Sequence, residues 1–137
     1  MPADVFFDTT ILVYSLKSSD ARSLKAEALL AEGGTISVQV LNELVAVARR
    51  KLRMGWEEIE AALSYMRELC GEPVPTTAEV HSAAVQIAKR YGYHIYDSLM
   101  IAAAQDCGCT ILYSEDMQHG QRIGSVTIRN PFLSLAY

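Results

Sequence analysis

Short apolar runs that stop abruptly at polar residues alternate along this chain with longer stretches of helical periodicity. Val5-Phe6-Phe7 ends at Asp8, as a strand buried on both faces would. A short helix is expected over Ile11 to Leu16. Ser18, Ser19 and Asp20 supply capping oxygens for a second helix to about Glu32, where Gly33-Gly34 stops it. Thr35 to Val38 reads as a second short strand. From Val40 to Lys51, Leu41, Leu44, Val45, Ala48 and Leu52 form one helical stripe. Met54-Gly55 breaks it, and Trp56 to Leu69 continues as a helix with Glu57, Glu58 and Glu60 at its positive end.

Thr76 and Glu79 have capping-box spacing ahead of Val80, Ala83, Ala84, Ile87 and Tyr91, with Gly92 in the favoured position past the end. Asp97 opens the next helix, whose body from Leu99 to Ala104 is apolar all round and therefore buried, and Gly108 closes it. Thr110 to Tyr113 is a further strand, and Val126 and Ile128 mark the last one before Asn130-Pro131. Buried strands alternating with helices predict a three-layer α/β/α sandwich around a central, mainly parallel sheet. With no repeat or linker, residues 1–137 are expected to form one domain.

In such sheets ligands bind beyond the carboxyl ends of the strands, and four acids fall there. Asp8 follows the first strand, Glu43 lies early in the helix after the second, Asp97 heads the buried helix, and Asp116 comes three residues after Tyr113. Singly each has an ordinary explanation as a cap or a solvated side chain. Together they repel unless a cation or a proton lies between them. Glu43 has no cation three or four residues away, only Gln39, Val40, Ala46 and Val47. An all-oxygen donor set favours a hard ion, Mg²⁺ or Mn²⁺, over zinc.

The segments carrying these acids resemble the PIN domain. The run Val5-Phe6-Phe7-Asp8-Thr9-Thr10-Ile11-Leu12-Val13-Tyr14 is similar to its opening strand and first acid. Ser37 to Leu44 resembles the segment of the second acid, Tyr96 to Ala104 that of the third, and Leu112-Tyr113-Ser114-Glu115-Asp116-Met117 that of the fourth. The ordered set, with Asn130-Pro131-Phe132 closing it, covers nearly the whole chain, and the length resembles the VapC-type toxins of toxin–antitoxin pairs. The resemblance implies a Mg²⁺- or Mn²⁺-dependent endoribonuclease that cleaves RNA with metal-activated water. It also implies a homodimer held inactive by a small antitoxin protein. Carried over by position, Asp8, Glu43, Asp97 and Asp116 become the metal-binding and catalytic acids. Thr9 and Ser114 become candidate polar helpers, and Glu115 is expected to face outward at the strand end.

Charge and the remaining motifs narrow the alternatives. Twelve Lys and Arg against sixteen Asp and Glu give a net charge of −4, which excludes a generally basic nucleic-acid binder but not a local basic patch. The cluster Arg49, Arg50, Lys51 and Arg53 complements a helix C-terminus. Arg50, two turns beyond Glu43, and Arg53 are candidate RNA contacts. No apolar run reaches membrane-spanning length, and the N-terminus lacks the pattern of a secretory leader. Three cysteines suit reduced thiols and a cytoplasmic location, and Cys107-Gly108-Cys109 lacks a second pair for zinc. His81, His94 and His119 have no ligand spacing and read as cap, surface or loop residues. Tyr91, Tyr93 and Tyr96 suit packing as well as base stacking. A phosphatase with Asp8 as nucleophile would want an acid where Thr10 stands, and a phospho-acceptor signalling module would want a lysine near Tyr113-Ser114-Glu115.

Overall fold

The computed structural model describes residues 4–17 and 20–135. Ser18 and Ser19 lie outside this range, and Asp20 is the observed cap of the second helix, accepting from the Ser23 amide at 2.8 Å. The elements run β1 (Val5–Phe7), α1 (Thr9–Leu16), α2 (Ala21–Ala31), α3 (Val38–Arg50), α4 (Trp56–Cys70), α5 (Ala78–Tyr91), α6 (Ile95–Asp106), β2 (Ile111–Tyr113), β3 (Arg122–Ile123) and β4 (Val126–Arg129).

The strands form one sheet in the order β1-β2-β4-β3. β2 pairs in parallel with β1 and with β4, Leu112 lying opposite both Phe6 and Ile128. β3 joins antiparallel to β4 across a tight turn that the apolar pattern does not announce, since β3 is only two residues long. All three residues of β1 are buried. Successive side chains on a strand point to opposite faces, so both faces of this sheet are covered, as the sandwich requires. α6 packs on β2 and β4 and against α5, while α1 packs on β1 and against α2 and α3. Phe6, Phe7, Ile11, Leu12, Met100, Ile101 and Phe132 fill the space between. Every residue from Ser98 to Ala104 is buried, which accounts for the apolar circumference of α6.

Three local expectations are corrected. Thr35 to Val38 is not a strand among the described residues. Thr35 makes one parallel bridge to Phe6 and Ser37 one to Val74. Ser37 then turns the chain into α3 by accepting from the Val40 amide at 3.2 Å, so Val38 is already helical. The bridge at Thr35 brings Gly34 against β1, where a Cβ would lie 2.4 Å from the Phe7 ring; only glycine fits there. The cap of α5 is Thr77, not Thr76, with the Val80 amide 3.1 Å from its hydroxyl. Finally, α6 begins at Ile95 behind His94. Asp97 therefore lies inside the first turn and is not the cap.

Candidate active site

Continuation of the β1–β2 and β2–β4 ladders past the strand ends creates the centre of the site. The Asp8 amide donates to the Tyr113 carbonyl at 3.0 Å and the Ser114 amide to the Arg129 carbonyl at 3.0 Å. The first residues after two parallel strands are thus held side by side. Asp8 is the N-cap of α1, its Oδ1 accepting from the Thr9 amide at 2.7 Å. Its Oδ2 accepts from the Ser114 hydroxyl, also at 2.7 Å. Ser114 Oγ in turn lies 3.3 Å from the Asp116 amide and 3.4 Å from the Met117 amide. One buried hydroxyl therefore fixes both the first acid and the backbone that carries the fourth.

Glu43 reaches the same cavity from the second turn of α3. Its Oε1 accepts from the Thr9 hydroxyl at 3.3 Å and its Oε2 from the Gln39 amide at 3.2 Å. The helical neighbour that satisfies Glu43 is thus a neutral amide, in keeping with the lack of a cation at helical spacing. Asp97 enters from α6 and Asp116 from the loop after β2. All four acids, with Thr9, Thr10, Lys17 and Lys51, line a cavity of about 460 Å³.

The carboxylates feel one another. Asp8 is 4 % exposed, and its pKa is pushed up to about 7, first by burial and then by Asp97 and Asp116, against the pull of Ser114 and Thr9. Glu43 is raised by burial and by Asp97. Asp97 is raised by burial and by Asp116, with His94 opposing. Asp116 is raised by burial and by Glu115, with Lys51 opposing. Each acid resists the charged form in this setting, the condition under which a cation has most to offer.

Glu115 is where the expectation fails. It does not face outward. The Tyr14 hydroxyl donates to its Oε1 at 2.6 Å and Arg22 Nε to its Oε2 at 2.9 Å, and the Arg22 guanidinium lies over the rings of Tyr14 and Phe132. The Glu115 amide also approaches the Thr10 hydroxyl at 3.5 Å. Glu115 is the outer clamp of the loop that bears Asp116. Burial and this hydrogen bond push Tyr14 up to about 12. Nothing at helical or strand spacing links Tyr14, Arg22 and Glu115, so the sequence carries no signal for this contact.

The basic cluster divides. Lys51 reaches the acidic cavity, joined there by Lys17, which the sequence does not single out. Arg50 lines a second groove of about 490 Å³ with Gln39, Asn42 and exposed Tyr96; Glu43 and Val47 are common to both spaces. Arg49 lies over the Trp56 ring at 4.7 Å. Arg53 lines neither space; it takes a left-handed backbone, φ 54°, in the turn after α3. His119 is a loop residue, its Nδ1 accepting from the Asn130 amide at 2.9 Å.

Among the described residues no three His, Cys, Asp or Glu side chains stand in metal-ligating geometry. In kind, the donors fit a hard divalent ion: carboxylate and hydroxyl oxygens, with no thiol or imidazole lining the cavity. Asp97 and Asp116 stand at its less buried edge, while Asp8 lies deep. No helix among the described residues is long and apolar enough to cross a membrane.

No curated protein matches the chain. Among solved structures it is similar to VapC20 of Mycobacterium tuberculosis, described as a sarcin–ricin-loop-cleaving toxin, at 23 % identity and a TM-score of 0.65 over 79 % of this chain and 86 % of that one. A toxin–antitoxin complex from Klebsiella pneumoniae shares 17 % identity, with a TM-score of 0.70 over 93 % and 97 %. FitAcB from Neisseria gonorrhoeae shares 20 %, with a TM-score of 0.66 over 94 % and 99 %. At these identities the likeness concerns the fold. The model of the PIN domain matches residues 5–121, and the chain belongs to the PIN domain family.

Proposed function

We propose that this PIN domain is a Mg²⁺- or Mn²⁺-dependent endoribonuclease, the toxin of a toxin–antitoxin pair. One observation carries the reading: four carboxylates from four separate elements meet in one cavity, each held away from its ordinary ionisation, with Lys17 and Lys51 beside them. Structural stability gives no reason to collect acids in this way. The neighbour described as cleaving the sarcin–ricin loop and the neighbouring toxin–antitoxin complex support RNA as substrate and a small antitoxin protein as partner. Residues 1–137 then act as one domain, as a homodimer in the cytoplasm.

Asp8, Glu43, Asp97 and Asp116 would hold the ion. Bound there, it would offset the phosphate charge and make water a better nucleophile at neutral pH. Asp8 is kept in one rotamer by Thr9 and Ser114, so it offers an oriented oxygen rather than a mobile one. Glu43, held by Thr9 and Gln39 and raised by burial, is suited to take a proton from the attacking water. Lys51 and Lys17 would draw the scissile phosphate into an otherwise acidic cavity. Arg50 and Tyr96 would hold the neighbouring nucleotides in the adjoining groove. The test is cleavage of single-stranded RNA by the purified chain. Activity should disappear on chelation and return with Mn²⁺ or Mg²⁺; no cleavage of any RNA with either ion would refute the reading.

A further inference from the structure

We propose that Cys107 and Cys109 form a redox-active dithiol at the turn between α6 and β2, where Cys107 reacts with a small disulfide and Cys109 resolves the adduct into an intramolecular disulfide. The two Sγ atoms are 3.3 Å apart, and the backbone around them is tied down. The Cys107 amide donates to Ala103 at 3.0 Å, the Gly108 amide to Gln105 at 3.2 Å and the Cys109 amide to Ala104 at 2.9 Å. Gly108 takes φ +77° with open space where a Cβ would stand, and this left-handed residue brings the flanking side chains to the same side. A disulfide needs the sulfurs at about 2.05 Å. The remaining approach is small enough for side-chain rotation with a slight shift of a solvent-facing turn.

The two thiols are unequal in the way such a pair requires. Cys107 is exposed and Cys109 buried. The hydrogen bond that the two sulfurs share brings Cys107 down to about 7, against partial burial and Asp106. The same bond and burial push Cys109 up. Cys107 is therefore the accessible thiolate and Cys109 the shielded partner, the division of labour between attacking and resolving cysteines. Cys70, half-buried on α4 and pushed up to about 11 by burial alone, has neither property.

The chemistry balances with a small disulfide as oxidant. The Cys107 thiolate attacks one sulfur of the disulfide, whose S–S bond breaks and releases one thiolate that takes a proton. Cys109 then loses its proton to solvent and attacks Cys107 Sγ. The mixed S–S bond breaks, and the second small thiol leaves. Two electrons and two thiol protons pass from the protein to the small disulfide, which becomes two thiols. The pair lies at the far end of α6 from Asp97, about 15 Å along the helix axis. Its reaction is thus independent of the acidic cavity and of the nuclease reading.

The 137-residue chain, incubated with glutathione disulfide, digested and examined by mass spectrometry, decides the matter. We expect a Cys107–Cys109 disulfide, no lasting glutathione on the wild type, and alkylation of Cys107 about tenfold faster than of Cys70 at neutral pH. Cys109→Ala should trap glutathione on Cys107, and Cys107→Ala should give neither product. A wild type that keeps glutathione on Cys107, or that stays fully reduced while a two-cysteine reference peptide oxidises, would overturn the proposal without recourse to either variant.

Discussion

The Ser114 hydroxyl donates to Asp8 Oδ2 at 2.7 Å across 106 residues of sequence. This one contact joins the end of β1 to the loop after β2, because the same oxygen also faces the Asp116 and Met117 amides. Ser114→Ala should therefore cost about 1–3 kcal/mol of stability, the range for leaving a buried acceptor without its partner. It should also raise the Asp8 pKa further, since the lost bond favours the ionised form. Urea titration measures the first effect. The second should appear in an NMR titration of the ion-free protein; an Asp8 carboxyl that titrates where it does in the wild type would mean that the Ser114 bond does not favour its ionised form.

Asp8 gives stability an inverted dependence on pH. Its folded pKa, about 7, lies above the ordinary aspartate value of 3.8. The folded state then binds the proton more tightly than the unfolded state, and stability from this group falls as pH rises between those values. Asp8→Asn has no such loss. Without divalent ions we expect the variant to match the wild type near pH 4 and to exceed it above about pH 7, by a difference on the order of 4 kcal/mol at most. Chemical denaturation across pH checks this, and a constant difference would mean that Asp8 ionises normally.

Glu115 couples the outer clamp to the site. Glu115→Gln keeps the shape but removes the ion pair to Arg22 and weakens the bond from Tyr14. With both partners of the pair mostly shielded, the cost should be about 1–2 kcal/mol. The Tyr14 pKa should fall from about 12, and Asp116 should ionise more easily once its neighbouring charge is gone. NMR titration of ring and carboxyl signals reads both. A Tyr14 that titrates unchanged would contradict the clamp.

Phosphate contacts carry a salt signature. Arg50→Ala and Lys51→Ala should each flatten the salt dependence of RNA binding by about one counterion. Arg53→Ala, outside both cavities, should leave the slope alone. Binding to uncleaved RNA in the presence of Ca²⁺, over a range of salt, separates the three.

Legibility in the sequence followed the range of the interaction. α3, α4 and α5 were readable because a 3.6-residue stripe and local stop signals determine them. β1, β2 and β4 were readable as short apolar runs bounded by polar residues. The pieces that depart from the sequence expectation are those whose conformation depends on a partner elsewhere. Thr35 looks like a strand residue and is one only at a single bridge to Phe6, and β3 exists only because β4 lies beside it. The four acids were visible because strand ends and helix starts place them. Their supports were less so: Ser114 and Thr9 could be named by position, whereas Tyr14, Arg22 and Lys17 come to the loop and cavity by tertiary packing alone.

If the acids hold an ion, folding and ion binding are linked. Mg²⁺ at a hundredfold excess over its dissociation constant should stabilise the wild type by about 2.7 kcal/mol. Asp97→Asn should lose most of that gain and, without the ion, should melt above the wild type because one of the mutually raised carboxyls is gone. Calorimetry with and without Mg²⁺ measures both, and indifference of the wild type to Mg²⁺ and Mn²⁺ would count against the ion site.

The most direct measurement is RNA cleavage by four variants, Asp8→Asn, Glu43→Gln, Asp97→Asn and Asp116→Asn, compared with the wild type in Mn²⁺ and in Mg²⁺. Each removes one charge from the shared cavity while nearly preserving its shape. We expect ion-dependent cleavage by the wild type, a loss of about a hundredfold or more in each variant, and unchanged circular dichroism throughout. Cleavage that proceeds in chelator, or that survives all four substitutions, would contradict it.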